Sequence, residues 1–192
     1  DDVESRGLGD VYKRQLYDKA VPENADGFIL CGGYPELYAE KLAENKAMLE
    51  NIREMIRSGT PTIAECGGFM YLHETLEDSG GNEHKLVGII DGKAYKTPKL
   101  NRFGYVKMTA QSDNLLCKKG ETFPAHEFHY WDSTNCGEAF TAEKTDGRSW
   151  KCAHANENLY AGFPHLYFYS NIETAANFAR KCAVFKRSKE EK

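Results

Sequence analysis

The 192-residue sequence has no long apolar run and no excess of positive charge. An apolar stretch of about 18–20 residues is needed to span a bilayer, and none occurs. The net charge of −4 gives no reason to expect nucleic acid or an anionic membrane surface as a partner. The sequence also shows no basic segment followed by an apolar core, the pattern of a secretory signal. We therefore expect a cytoplasmic protein.

Paired cysteine motifs and a phosphate-binding glycine loop are also missing. The six cysteines include no CxxC pair, so we expect reduced thiols rather than a disulfide framework or a zinc site. No glycine-rich turn is followed by the GK[ST] of a P-loop. The chain therefore has no P-loop with which to bind a nucleotide phosphate, and we predict that it needs no cofactor of its own.

A histidine-rich segment, "HEFH" at 126–129, comes close to a zinc motif without matching it. Zinc peptidases use HExxH, which places two histidines one helical turn apart. Here the spacing is HExH, and the flanking residues favour a strand, on which His126 and His129 would face opposite sides. We predict no metal site. Glu127 is interpreted as a buried carboxylate that orients a substrate amine or a histidine.

What the sequence does contain, from Asp26 onward, is an alternation of strands and helices. "DGFILCGG" and "TPTIAEC" are short apolar runs stopped by glycine or cysteine, as in buried strands. The stretch from Pro35 to Gly59 has helical spacing of apolar residues, and "GGFMYLHETLED" is predicted to form the next helix. This order predicts an α/β fold with a mostly parallel central sheet and helices on both faces.

The second half of the chain reads mainly as strands. "HKLVGIIDGKAY", "RFGYVKMTA" and "PAHEFHYWDST" are rich in β-branched and aromatic residues and predict antiparallel additions to the sheet. "LYAGFPHLYFYSN" is predicted as one further strand, followed by a closing helix. We interpret residues 1–15 as a non-native or disordered leader, 16–185 as a single domain and 186–192 as a solvated, charged tail.

Cys66 is the candidate nucleophile because it lies where a predicted strand meets a predicted helix. A thiol attacks as thiolate, and the partial positive charge at a helix N-terminus is expected to lower its pKa. Gly67 permits a tight turn, and its N–H can point at an oxyanion. The amides of the "CGGYPE" turn, at Gly33, would complete an oxyanion hole. The alternative is that Cys66 is a small buried hydrophobe.

The candidate base is His165, one of six histidines. It follows "GFP" and precedes "LYFYSN", so it lies at the edge of an apolar strand, where it could pair with Cys66 across neighbouring strand ends. The alternative is a histidine that is satisfied in the core or in a turn.

Five stretches in order, "DGFILCGGYPELYAEKLAEN", "TPTIAECGGFMYL", "NRFGYV", "AHEFHYWD" and "PHLYF", resemble the C-terminal glutamine amidotransferase domain of cobyrinic acid a,c-diamide synthases. The resemblance implies the flavodoxin-like fold of class I amidotransferases. It implies that Cys66 forms a γ-glutamyl thioester, that His165 is the base and acid, and that Gly33 and Gly67 bind the oxyanion. Tyr34, Glu65, Arg102 and Glu127 are assigned to the glutamine pocket or to orienting His165, with Glu65 and Glu127 both open for the latter role.

The resemblance also implies partners. L-glutamine is the substrate, and ammonia would pass to an ATP-dependent synthetase domain, which this sequence does not contain. That domain would use Mg-ATP to activate the a- and c-carboxylates of cobyrinic acid, so the corrinoid is met only through it. Three alternatives stay open: another acceptor, such as a nickel-sirohydrochlorin or a cell-wall lipid; a non-catalytic docking domain; and a papain-like or other cysteine hydrolase.

Overall fold

The computed structural model of the chain describes residues 13–191. Of the predicted leader, residues 1–12 lie outside the described residues, and the rest belongs to a helix. The five α-helices of the described part are α1 Lys13–Tyr17, α2 Ala39–Glu44, α3 Lys46–Arg57, α4 Gly67–Tyr71 and α5 Ile172–Glu190. Its eleven strands are β1 Phe28–Leu30, β2 Thr62–Glu65, β3 His73–Glu77, β4 Glu83–Lys85, β5 Ile90–Ala110, β6 Thr122–Ser133, β7 Phe140–Glu143, β8 Ser149–Cys152, β9 His154–Ala155, β10 Leu159–Gly162 and β11 His165–Leu166.

The predicted parallel sheet is present as a four-stranded sheet in the order β1-β2-β10-β9. β1 and β10 both run parallel to β2, and only β9 is antiparallel to its neighbour. The apolar side chains of these strands alternate between the two faces of the sheet, where they enter two separate core clusters. Helix α3 contributes to the first cluster and Phe178 of α5 packs against the second, so helices cover both faces, as predicted.

The predicted antiparallel additions form a sheet of their own, with seven strands. Its main path is β11-β6-β5-β3-β4, and β7 and β8 extend from the far part of β5. All its pairs are antiparallel except β3 with β5. The 21-residue β5 explains this arrangement, because it is long enough to pair with β3, β6 and β7.

Two predicted elements are divided in the structure. The helical stretch from Pro35 breaks at Asn45, whose side chain accepts a hydrogen bond from the Met48 N–H and so caps α3. The predicted strand "LYAGFPHLYFYSN" ends at Gly162 and restarts at His165 in the other sheet. Pro164 lacks the N–H that a continuous ladder would need.

The predicted end of one helix is wrong. Helix α4 ends at Tyr71, and the next residues form β3, because pairing with β4 and β5 outweighs the helical spacing of "GGFMYLHETLED". Helix α5 continues to Glu190, so most of the predicted charged tail is helical. No helix within the described range combines the length and apolarity that a membrane span requires.

Candidate active site

Cys66 lies at a sharp turn between β2 and α4. Its backbone has φ 47° and ψ −103°, a positive-φ conformation that is uncommon for a residue with a side chain. The Cys66 N–H donates to the carbonyl of Gly162 at the end of β10, at 2.8 Å. A strained residue between a strand and a helix is the geometry of a nucleophile elbow, in which the side chain is held at the end of the sheet.

Two glycines bring the neighbouring segments close to this turn. A Cβ on Gly68 would lie 2.1 Å from the carbonyl oxygen of Leu30, so α4 rests directly on the end of β1. A Cβ on Gly32 would lie 2.6 Å from Cε1 of His165. The end of β1 therefore touches α4, and the "CGGYPE" turn that follows it touches His165.

His165 reaches the site from the larger sheet. It begins β11, which pairs antiparallel with β6 so that His165 lies opposite His126. The Leu166 N–H donates to one carboxylate oxygen of Glu65 at 2.9 Å, and the other oxygen is 3.8 Å from Nδ1 of His165. Tyr160 donates its hydroxyl to the Pro164 carbonyl at 3.2 Å. These contacts fix the segment that carries the imidazole.

One cavity contains most of the residues that the sequence singled out. Cys66, at the end of β2, and His165, in β11 of the other sheet, both line it. The remaining lining residues are Cys31, Gly32, Gly33, Tyr34, Glu65, His126 and Phe128.

A second, smaller cavity adjoins Cys66 on its inner side. Gly33 and Tyr34 line both cavities. The inner one also contains Glu36, Met70 and the β6 residues 128–131. Cys66 therefore lies between a larger cavity that His165 also lines and a smaller cavity that the buried Glu36 carboxyl lines.

Two candidates from the sequence lie elsewhere. The Glu127 oxygens bond to His129 and Trp150, so Glu65 rather than Glu127 is the carboxylate beside the His165 imidazole. Arg102 approaches Asp132 and Cys136 and lies over the Trp150 ring at 5.8 Å. Arg102 therefore lies beside Trp150, which is itself a hydrogen-bond partner of Glu127.

Glu36 is a site residue that the sequence reasoning missed. It is only 7% exposed, and burial raises its carboxyl pKa to about 7. Its signal was its place in the turn, since it is the last residue of "CGGYPE", directly after Pro35. A glutamate in the first turn of a predicted helix is ordinarily solvated, which is why it did not stand out.

The expected lowering of the Cys66 pKa is wrong. Burial raises the pKa of this thiol to about 12, the Gly67 N–H lowers it only in part, and the carboxylates of Glu36, Glu65 and Glu127 raise it further. The His165 pKa is lowered, first by burial and then by His126 and His129. The resting state thus pairs a neutral thiol with a neutral imidazole that can accept a proton.

Comparison with known proteins places this geometry in a family. A family model described as a CobB/CobQ-like glutamine amidotransferase domain matches residues 2–172. The chain belongs to the CobB/CobQ-like glutamine amidotransferase family. Its relatives include the cobyrinate a,c-diamide synthase of Caldanaerobacter subterraneus subsp. tengcongensis, 39% identical over 177 residues, which are 90% of this chain and 39% of that protein. The enzyme of the same name from Salmonella typhimurium is 40% identical over 176 residues, 89% of this chain and 38% of that protein.

Solved structures show the class I amidotransferase fold of this family member. A crystal structure of a glutamine amidotransferase has a TM-score of 0.59 at 14% identity and covers 95% of each chain. The structure of PurLQS from Thermotoga maritima has a TM-score of 0.55 at 15% identity, covering 88% of this chain and 82% of the other. The family member described here spans about two-fifths of the length of the curated relatives it matches.

Proposed function

We propose that this amidotransferase domain hydrolyses L-glutamine to glutamate and ammonia through a thioester on Cys66. The observation that carries the proposal is that Cys66 and His165 line one cavity, with Gly67 directly after Cys66 at the start of α4. A nucleophile, a base and an oxyanion donor are the parts that acyl transfer from an amide requires.

The reaction runs in two balanced halves. Cys66 Sγ attacks the side-chain amide carbon while His165 takes the thiol proton, and the new oxyanion is held by the amides of Gly67 and Gly33. The intermediate collapses when His165 returns the proton to the departing ammonia, which leaves the γ-glutamyl thioester. Water then attacks the thioester while His165 accepts a proton from that water, and His165 returns this proton to the departing Cys66 sulfur as glutamate is released.

The inner cavity, of about 40 Å³, has room for the α-ammonium group of glutamine but not for its whole amino-acid end. The Glu36 carboxyl is buried beside Cys66, and an arriving α-ammonium group would favour its ionised form and pair with it. Tyr34 and Gly33 line both cavities and would flank the side chain that joins the ammonium to the reacting amide.

The relatives are named cobyrinate a,c-diamide synthases, and that name supports a carboxylate acceptor for the ammonia. We infer that the ammonia serves amidation of the a- and c-carboxylates of cobyrinic acid in the cytoplasm, as the glutaminase part of a C–N ligase. The carboxylates would be activated with Mg-ATP by a synthetase part that corresponds to the remaining three-fifths of the relatives. The corrinoid and the nucleotide would bind to that part.

The test is labelling with 6-diazo-5-oxo-norleucine, a glutamine analogue that alkylates the nucleophile of glutaminases, followed by mass spectrometry. We expect one adduct, on Cys66, which excess glutamine prevents and which Cys66→Ser abolishes. Cys117→Ser, a buried thiol of the other core cluster, is the matched control and should label normally. Equal labelling of Cys31 and Cys66, or no protection by glutamine, would contradict the proposal.

A further inference from the structure

The "HEFH" segment of β6 contains two buried polar residues, Glu127 and His129, that take no part in the proposed glutaminase steps. His126 is half-buried and Phe128 is exposed, whereas Glu127 and His129 point inward. The side chains of Glu127 and His129 are 0% and 2% exposed. A carboxylate and a histidine removed this completely from water need a full set of partners.

The two buried side chains satisfy each other and the surrounding framework. His129 Nδ1 donates to the Trp131 carbonyl at 2.6 Å, and its Nε2 is hydrogen-bonded to a Glu127 oxygen at 3.0 Å. The other Glu127 oxygen accepts from the Trp150 indole at 3.2 Å. The His129 ring is therefore held at both nitrogens and has one fixed orientation.

That fixed ring supports the two segments that carry the nucleophile and the base. His129 stacks on Phe163 with ring centroids 3.9 Å apart and an interplanar angle of 6°. Phe163 meets Phe69 edge to face at 5.0 Å. Phe163 stands two residues before His165, and Phe69 stands three residues after Cys66, so the stack joins β6, the base segment and α4.

We propose that Glu127 and His129 are positioning residues that hold the Phe163–His165 segment against the Cys66 turn. The proposal rests on the glutaminase reaction for its catalytic consequence, but the placement of His165 can be measured without substrate. Neither residue is assigned a proton-transfer step. Their effect passes through the aromatic stack, whose members are all buried.

The first test is structural and uses the imidazole signals of His165 in ¹⁵N–¹H spectra of the whole chain, assigned by their loss in His165→Gln. Phe163→Leu removes the stacked ring, and Glu127→Ala removes the hydrogen bond to His129 Nε2. Both should shift or broaden the His165 signals. Phe123→Leu is the matched control, a buried phenylalanine of the other core cluster, and should leave the His165 signals in place. Unchanged His165 signals in both test variants would overturn the proposal.

The second test separates rate from affinity in the labelling by 6-diazo-5-oxo-norleucine. Phe163→Leu and Glu127→Ala should lower the saturating rate at least about ten-fold while the half-saturating concentration changes less than about two-fold, because misplacement of a reacting group slows the chemical step. Glu127→Gln should keep most of the rate, since its amide can donate to His129 and accept from Trp150. If Glu127→Gln were as slow as Glu127→Ala, the negative charge of Glu127 rather than its hydrogen bonds would matter, and the positioning proposal would be overturned.

The two tests also separate the two proposals. Failure of the unmodified protein to react with the analogue would contradict the glutaminase function, whereas the His165 signals would still decide whether the pair positions that histidine.

Discussion

The contact between Gly68 and the end of β1 supports a quantitative prediction. In Gly68→Ala the new Cβ would lie 2.1 Å from the Leu30 carbonyl oxygen, and real contacts of this kind are essentially never shorter than 3.0 Å. The two segments must therefore separate by about 0.9 Å, the difference between these two distances. Because the obstacle is backbone, it cannot turn aside as a flexible side chain would.

Two effects follow from that separation. Overpacking of a dense core costs about 1–3 kcal/mol, and we expect about 3 kcal/mol here because the clash is with backbone. For a domain of this size that lowers Tm by about 6–12 °C. A displacement near 1 Å between a nucleophile and its oxyanion donors can slow a reaction by about 100-fold, so labelling of Cys66 by 6-diazo-5-oxo-norleucine should fall by about that factor.

The assay compares Tm and labelling rate with those of Gly80→Ala. The Cβ of that control meets only the side chains of Asn82 and Asp78, at 3.3 Å in an exposed turn, so its Tm and labelling rate should stay close to those of the unmodified protein. If Gly68→Ala labelled within three-fold of the unmodified protein and lost less than about 2 °C, the view of β1 and α4 as one rigid unit would be refuted.

Three other predictions concern the titrating groups of the site. Burial raises the pKa of Glu65 to about 7, so its carboxylate is ionised mainly above that pH. Glu65→Gln keeps an acceptor for the Leu166 N–H but removes the charge beside His165, so kcat at pH 8 should fall about ten-fold with KM within two-fold, measured by glutamate release. Burial raises the pKa of Glu36 from 4.5 to about 7, so the folded protein loses stability as the pH rises from 4.5 to 7. At 1.36 kcal/mol per pH unit this loss is about 3 kcal/mol. Glu36→Gln should therefore raise Tm at pH 8 but not at pH 4, and it should also raise KM. Because burial, His126 and His129 lower the His165 pKa, the acid limb of kcat/KM should lie below pH 6.5, and a limb above 6.5 would contradict the assignment of His165 as the base.

The sequence predicted the parts of the fold that depend on patterns within a few neighbouring residues. "DGFILCGG" and "TPTIAEC" combine β-branched residues with a glycine or cysteine stop, and both became parallel strands. Period-two alternation placed His126 and His129 on opposite faces of β6, which the burial pattern confirms. Cys66 and His165 could be paired because each lies at the end of a short apolar run.

The parts that the sequence did not predict depend on partners distant in the chain. The residues after Tyr71 have helical spacing, yet they pair with β5 because that edge is available only in the folded sheet. "LYAGFPHLYFYSN" was predicted as one strand, and its local pattern did not indicate that the chain would cross to the other sheet at Pro164. The burial of Glu36 and the preference of Glu127 for His129 are likewise outcomes of packing, which periodicity does not encode.

The high pKa of Cys66 has a consequence for the chemical durability of the protein. Oxidation by peroxide proceeds through the thiolate, and a thiol with a pKa near 12 has about a thousand-fold less thiolate at neutral pH than one at its usual value of 9.0. An empty site should therefore resist conversion to sulfenic acid, although its cavity opens beside an exposed Cys31. In the proposed reaction His165 takes the thiol proton as the sulfur attacks the bound amide, so the thiolate would be consumed by the substrate as it forms rather than left open to peroxide.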